Sequence, residues 1–102
     1  MENKDYFQKV YSIVSQIPEG KVTTYGYIAQ ALGDKRKSRV VGYALNSALS
    51  QNLPCHRVVN RHGELSGSIH FPTPTLMREL LESENITFKN GVVDLSKHLW
   101  VP

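Results

Sequence analysis

Two short helical patterns joined by a tight polar turn constrain the fold of this chain more than any other feature. The first begins at Thr24, a suitable N-cap residue, and ends at Gly33, a suitable residue just past a helix end. The second begins near Ser38, also a suitable N-cap. Its apolar residues share one face: Val41, Leu45 and Ala48, with Val40, Ala44 and Leu49 beside them. Such a pair is typical of a helix-turn-helix, whose second helix approaches DNA.

The other patterns predict a mainly α-helical domain with small β elements, winged-helix-like in outline. Apolar spacing predicts an amphipathic helix over residues 4–17, and Thr73 with Pro74 at the first helical position predicts another running to about residue 84. Val58-Val59 reads as a short strand, and residues 89–91 read as the turn of a hairpin. We expect Trp100 to pack on the core. A length of 102 residues predicts one domain, residues 1–102. We expect a monomer, because no additional oligomerisation segment is visible in the sequence.

Basic residues are concentrated in the turn between the two short helices. The chain carries 12 Lys and Arg against 9 Asp and Glu, for a net charge of +3. Lys35, Arg36, Lys37 and Arg39 fall within this turn and the start of the next helix. A run of this kind is often only a solvated loop. Beside a helix-turn-helix it also predicts attraction to a polyanion, above all nucleic acid.

The cysteine count and the chain start bear on the compartment. A single cysteine excludes an intrachain disulfide. The first residues lack the apolar core of a signal peptide, and no apolar run approaches the roughly 20 residues that span a bilayer. We therefore expect a cytoplasmic protein, in a reducing compartment where a free thiol survives.

The lone cysteine lies in the sequence Pro-Cys-His-Arg-Val, residues 54–58. An isolated Cys55 would most simply be a small buried apolar residue. A neighbouring imidazole, His56, and the positive charge of Arg57 instead favour a nucleophile, because the thiolate is the reactive form. If the segment were extended, adjacent side chains would point to opposite faces, and a bridging water would carry the proton to His56. A carboxylate behind the histidine would orient it, and the sequence offers four without choosing: Glu64, Glu79, Glu82 and Glu84.

The four histidines do not have the spacing of metal ligands. His56, His62, His70 and His98 lack the paired arrangement of a zinc site. We predict no metal and no cofactor.

Three segments resemble the C-terminal domain of the O6-alkylguanine-DNA alkyltransferases, the methylated-DNA–protein-cysteine methyltransferases. They are residues 22–29, 38–45 and 53–60, and Pro-Cys-His-Arg-Val in the last is the most specific of them. The resemblance covers almost the whole chain. It implies a protein that binds the minor groove of double-stranded DNA, flips O6-alkylguanine out of the stack and takes the alkyl group irreversibly onto its own cysteine.

The resemblance also implies roles for individual residues. Cys55 is then the alkyl acceptor, His56 its water-relayed base and Glu84 the carboxylate that completes the triad. On the DNA side, Arg39 fills the vacated stack and Tyr25 crowds the phosphate, with Thr24 and Ser38 as further DNA contacts. Leu45, Val58 and Ser66 are expected to line the base pocket.

The sequence departs from the alkyltransferases at two places. Their Tyr-Ser-Gly-Gly loop is replaced by residues 65–74, where only Ser66-Gly67 or Ser68 could substitute. In the alkyltransferases, an asparagine is expected between the helix that begins near Ser38 and the cysteine. It has no clear counterpart here, and Ala48 falls near its place. The short length, residues 59–63 and the C-terminal Leu-Trp-Val-Pro resemble the alkyltransferase-like proteins instead.

The sequence therefore leaves three functions open. Cys55, His56 and Glu84 together favour a single-turnover methyltransferase. The altered loop favours an alkyltransferase-like sensor, which binds the lesion without transfer and recruits nucleotide excision repair proteins; such sensors carry tryptophan or alanine in place of the cysteine. A generic helix-turn-helix regulator is the third.

Overall fold

Helices dominate the structure, a computed structural model that describes residues 2–48 and 51–102. The helices are α1 (Glu2–Val14), α2 (Tyr25–Ala31), α3 (Ser38–Ser47), α4 (Leu76–Ser83) and α5 (Leu95–His98). The strands are β1 (Thr23–Thr24), β2 (Val58–Val59), β3 (Phe88–Lys89) and β4 (Val92–Val93). Tight 3₁₀ turns occupy Lys35–Lys37, Cys55–Arg57 and Ser68–His70. The predicted class, mainly α with small β elements around a helix-turn-helix, is confirmed.

The helix-turn-helix is built as the sequence predicts at its first helix and differently at its second. The Thr24 hydroxyl accepts the Tyr27 amide hydrogen at 3.1 Å and so caps α2, and Gly33 takes φ = +106° just past its end. The predicted N-cap role of Ser38 is wrong. The 3₁₀ turn runs directly into α3, so Ser38 already has helical dihedrals and Lys37 holds the cap position. Leu49 lies outside the described residues.

The other predicted boundaries hold in part. Asn90 and Gly91, both at positive φ, form the two-residue turn between β3 and β4, as predicted. The predicted start of α4 at Thr73 and Pro74 is wrong. Residues 74–75 form a turn, and the first regular helical bond runs from the Glu79 amide to the Thr75 carbonyl, so Thr75 holds the cap position.

Two apolar cores meet at a short parallel strand pair. Thr23 pairs with Val58 and Thr24 with Val59. Because successive strand residues face opposite sides, Val58 joins the core of α1, α2 and α3, whereas Val59 joins a second core under α4 and the hairpin. Cys55 belongs to the first core, and Trp100 packs against it as predicted. The cysteine segment therefore lies at the junction of both cores.

The described residues hold neither a membrane span nor a metal cluster. None of the helices within residues 2–48 and 51–102 is long and apolar enough to cross a bilayer. In the same ranges, no three His, Cys, Asp or Glu side chains gather as a metal site requires.

Candidate active site and nucleic-acid interface

The cysteine segment is a 3₁₀ turn, and this separates the side chain of Cys55 from those of His56 and Arg57. One turn holds three residues, so consecutive side chains diverge around the axis. Cys55 enters the first core and is 7% exposed. His56 and Arg57 instead both reach Glu84 at the end of α4. The turn thus places the thiol on one side and an ion-pair cluster on the other.

The Glu84 carboxylate is held by three partners at once: two side chains and one backbone amide. His56 Nε2 lies 2.8 Å from Glu84 Oε2, and Arg57 donates to the same carboxylate from Nε at 2.9 Å and from Nη2 at 2.7 Å. The Gly20 amide donates a longer bond, at 3.4 Å. Burial raises the pKa of Glu84, but the hydrogen bonds from Arg57 and His56 outweigh it and hold the pKa at about 2. The carboxylate is therefore ionised at neutral pH.

The ionised carboxylate determines which histidine nitrogen can act as a base. A carboxylate without a proton only accepts hydrogen bonds, so His56 Nε2 must carry the hydrogen in this contact. In the neutral imidazole, Nδ1 then keeps its lone pair. Nδ1 is therefore the nitrogen of His56 that is free to accept a proton. A histidine held by an ionised carboxylate in this way has the geometry that orients a general base.

The thiol itself is protonated in this conformation. Burial raises the pKa of Cys55 to about 11. No described side chain hydrogen-bonds its sulfur, whereas the Cys55 amide donates to the Leu53 carbonyl at 2.8 Å. Arg57 does not supply the positive charge expected from the sequence, because its guanidinium is committed to Glu84 and, through Nη1 at 2.8 Å, to the Ile17 carbonyl.

A small cavity adjoins the thiol. It measures about 20 Å³, which is room for about one water molecule. Its lining includes Leu45 and Val58, as the sequence analysis expects, but not Ser66. The other lining residues are Tyr25, Asn46, Cys55, Gly67, His70, Phe71 and Met77.

Ser66 lies at the rim, where its hydroxyl is 3.5 Å from the Tyr25 hydroxyl. The Tyr25 hydroxyl also lies over Gly67, where a Cβ atom would stand only 3.2 Å away. The loop that replaces the alkyltransferase motif is therefore packed against the start of α2. It contributes Gly67, which the sequence analysis had named as a possible substitute in this loop, and also His70 and Phe71, which were missed from the sequence.

Asn46 was also missed. It lies on α3, one residue beyond Leu45, and it lines both the cavity and the groove outside it. Asn46 lies inside α3, before the position near Ala48 where the sequence analysis sought an asparagine, and does not fill that place. Helical spacing could have suggested Asn46, because it lies seven residues, or two turns, beyond Arg39 and so on the same face of α3.

A groove of about 370 Å³ runs over the exposed face of α3, lined by Tyr25, Ser38, Arg39, Gly42, Tyr43 and Asn46. Arg39 is exposed and forms no ion pair with a described residue. Thr24, in contrast, is only 4% exposed and its hydroxyl caps α2, so its side chain has little left to offer a ligand. Tyr25 joins this groove to the cavity.

A second, basic groove lies on the other side of Tyr25. One part is lined by Lys35, Arg36, Ser38 and Arg61, and the next by Ser38, Asn60, Arg61 and His62. Arg36 is paired with Asp34 at 2.9 Å, and Lys37 stacks over the Tyr6 ring at 5.3 Å. The basic residues of this turn therefore have different surroundings. Arg36 and Lys37 contact Asp34 and Tyr6 of the protein itself, whereas Lys35 lines the groove together with Arg61.

Comparisons of the sequence and of the structure with known proteins identify the family of this chain. The family model described as "6-O-methylguanine DNA methyltransferase, DNA binding domain" matches residues 5–86. The chain belongs to this family. It is 42% identical to the "DNA base-flipping protein" of Escherichia coli over 103 residues, 98% of this chain and 78% of that protein.

Two further likenesses cover different lengths. A "Bifunctional methyltransferase/endonuclease" of Picrophilus torridus is 37% identical over 99 residues, and the match spans only 33% of that protein. The structure superposes with a TM-score of 0.81 on the S. pombe Atl1 protein in complex with damaged DNA containing O6-carboxymethylguanine, at 29% identity and 97% coverage of both chains. The family thus contains proteins named for alkyl transfer and proteins named for base flipping.

Proposed function

We propose that this chain is a DNA repair protein that flips O6-alkylguanine into the cavity beside Cys55 and takes the alkyl group onto the Cys55 sulfur. The observation that carries the proposal is the placement of Cys55. It lines the cavity next to Tyr25 and precedes a histidine that is oriented by an ionised Glu84. What supports the proposal is that a buried thiol opens to a cavity at the foot of the α3 groove, and that the next residue in the chain is a histidine held by a carboxylate.

The proposed transfer is a displacement at the alkyl carbon. The Cys55 proton moves to His56 Nδ1, through a water when the two are not in contact, and Glu84 stabilises the imidazolium. The thiolate then forms a bond to the alkyl carbon while the bond from that carbon to O6 breaks and its electron pair stays on the guanine. Tyr25 supplies a proton to the departing guanine and regains one from solvent. The thioether is stable, so one protein repairs one lesion.

The cavity must widen before a base can enter. Its volume of about 20 Å³ is far below the about 300 Å³ at which small-molecule pockets begin. Three lining residues, Gly67, His70 and Phe71, come from the loop at 66–74, which makes this loop the part that yields. Binding energy from the DNA drives the opening, and flipping an alkylated guanine costs only a few kcal/mol because its pairing is already weak.

The DNA-facing residues supply that binding energy. Arg39 projects from α3 into the groove, and its flat guanidinium replaces the stacking lost by the flipped base. Tyr25 stands between groove and cavity, where a flipped nucleotide must pass. Ser38, at the start of α3, faces both grooves and is placed for a phosphate. We propose residues 1–102 as one functional unit of this kind.

A second candidate is a lesion sensor that binds without transfer and hands the lesion to nucleotide excision repair proteins. The observation that favours it is the state of the thiol, whose pKa burial raises to about 11. The loop from 65 to 74 also lacks the alkyltransferase motif. Under this alternative Cys55 is a pocket wall and the DNA surface is unchanged.

The two candidates separate in one experiment. The wild type and Cys55→Ala are mixed with a duplex containing a single O6-methylguanine, and the lesion is quantified by base analysis while binding is followed by gel shift. Transfer predicts loss of the lesion with the wild type only, and lesion binding with both. An unrepaired lesion with tight binding by both proteins would establish the sensor, and no preference for the lesion by either would refute both candidates.

A further inference from the structure

Tyr43 is the one aromatic residue of α3, and it is exposed. Its side chain is 54% exposed although Tyr is large and partly apolar, and it stands on α3 one turn beyond Arg39. The buried residues of α3, Val41, Ala44 and Leu45, face away from it. Nothing in the packing of the described residues therefore explains why an aromatic ring is displayed here.

The surroundings of Tyr43 indicate a ligand for the ring. It lines the α3 groove together with Arg39, Gly42 and Asn46, and through Tyr25 this groove continues into the base cavity. At Gly42, an added Cβ would meet nothing within 4 Å. The glycine is therefore not required by the protein's own packing, although glycine inside a helix costs about 1 kcal/mol relative to alanine. It leaves the floor of the groove between Arg39 and Tyr43 open.

We propose that Tyr43 is a second DNA-stacking residue, which packs its ring against the minor-groove side of the duplex beside the lesion. This rests on the proposed function, since it assumes that α3 faces DNA. Minor-groove proteins use apolar or aromatic wedges for such contacts, and the unpaired Arg39 supplies the charge that a polyanion requires. A ring wedged into a base step meets the π-face that every base has, so the contact is independent of sequence.

The helix geometry places this contact relative to the lesion. Four residues along a helix correspond to a rise of about 6 Å. Successive base pairs are about 3.4 Å apart. With Arg39 at the vacated position, a rise of about 6 Å places Tyr43 at most about two base steps away, the limit reached when α3 runs along the DNA axis. It therefore contacts undamaged DNA in every complex and contributes affinity without contributing to lesion discrimination.

The test compares Tyr43→Ala and Tyr43→Phe with the wild type on a lesion duplex and on the same duplex without the lesion. Tyr43→Ala should weaken both affinities by at least tenfold, equivalent to about 1.4 kcal/mol, and leave their ratio unchanged. Tyr43→Phe keeps the ring and should stay within threefold of the wild type. The slope of log affinity against log salt should be the same for all three, because stacking releases no counterions. Arg39→Ala, in contrast, removes a positive charge from the DNA interface. The magnitude of the negative slope should therefore fall by about 0.9.

Controls keep the outcomes distinct. Val101 is exposed to 56% near the C-terminus and lines none of the grooves described above, so Val101→Ala should bind like the wild type. Tyr43→Gln is a second ring deletion in case the alanine variant fails to fold, which thermal unfolding will show. If both ring-deletion variants bind DNA within twofold of the wild type, the proposal is overturned. The exposed ring would then serve a contact with another protein. A phenylalanine variant as weak as the alanine variant would also overturn it. Failure of the wild type to prefer the lesion would refute the proposed function, whereas the undamaged duplex still tests Tyr43.

Discussion

The pairing of Glu84 makes a quantitative prediction about stability and pH. The carboxylate is 11% exposed and has a pKa of about 2 in the fold, compared with 4.5 for an unperturbed glutamate. The difference of about 2.5 units corresponds to about 3 kcal/mol. Because the folded-state pKa is lowered, this stabilisation is fully present above pH 4.5 and is lost as pH falls towards 2. By pH 3, about 2 kcal/mol of it should have been lost.

Glu84→Gln removes this contribution and also leaves Arg57 buried without its counterion. We expect the free energy of unfolding at pH 7 to fall by about 3–5 kcal/mol. The gap between wild type and variant should then narrow by about 2 kcal/mol between pH 7 and pH 3, because the wild type loses the glutamate contribution and the variant has none to lose.

Urea unfolding at a series of pH values between 7 and 3 measures both quantities. Glu82→Gln is the matched control, because Glu82 lies on the same helix and also pairs with an arginine, Arg78, at 3.0 Å, but its side chain is 51% exposed. An exposed pair of this kind is worth at most about 1 kcal/mol. A gap between wild type and Glu84→Gln that stays constant over this pH range would refute the pKa and the pairing on which the histidine assignment rests.

Three further predictions follow from single contacts. In the free protein, the rate of Cys55 alkylation by iodoacetamide should rise about tenfold per pH unit up to about pH 10, because burial raises the thiol pKa to about 11; a plateau below pH 8 would contradict the buried, protonated state. Gly63→Ala should lower the free energy of unfolding, measured in urea, by at least about 2 kcal/mol. Gly63 has φ = +83°, and an added Cβ would lie 2.6 Å from the Val93 carbonyl oxygen. A urea unfolding curve like that of the wild type would show that this turn accepts a side chain. Thr24→Ala should cost about 1 kcal/mol while Thr24→Ser costs less, both by urea unfolding, and equal losses would exclude the hydroxyl cap.

The local features of this fold were readable from the sequence because they depend on few residues. Thr24 caps α2, Gly33 follows its end, and Asn90-Gly91 turns the hairpin, each for a reason that lies in one or two side chains. Ser38 and Thr73 were equally good caps by residue type and were wrong. What displaced them was neighbouring backbone, a 3₁₀ turn before α3 and a turn at residues 74–75, which single-residue preferences do not encode.

The candidate site, like the fold, could be predicted from sequence patterns only where its residues are neighbours along the chain. The Cys55 and His56 pair was visible because the residues are adjacent, whereas the composition of the chain left four carboxylates as partners. The family resemblance had named Glu84 among them, and the fold places it 2.8 Å from His56 across 28 positions. That Arg57 binds the same carboxylate could be learned only from the structure. The cavity residues Asn46, His70 and Phe71 come from two separate elements that meet at Cys55, so no local pattern could have collected them.

The central claim is that Cys55 accepts the alkyl group, and intact-mass measurement tests it most directly. The protein is mixed with an excess of duplex containing O6-methylguanine, and its mass is determined before and after, followed by peptide mapping. The proposal predicts a gain of one CH2 unit, located on Cys55, in all of the active protein, and no gain with undamaged duplex. An unchanged mass in a protein that still binds the lesion duplex would contradict alkyl transfer and assign the chain to lesion sensing.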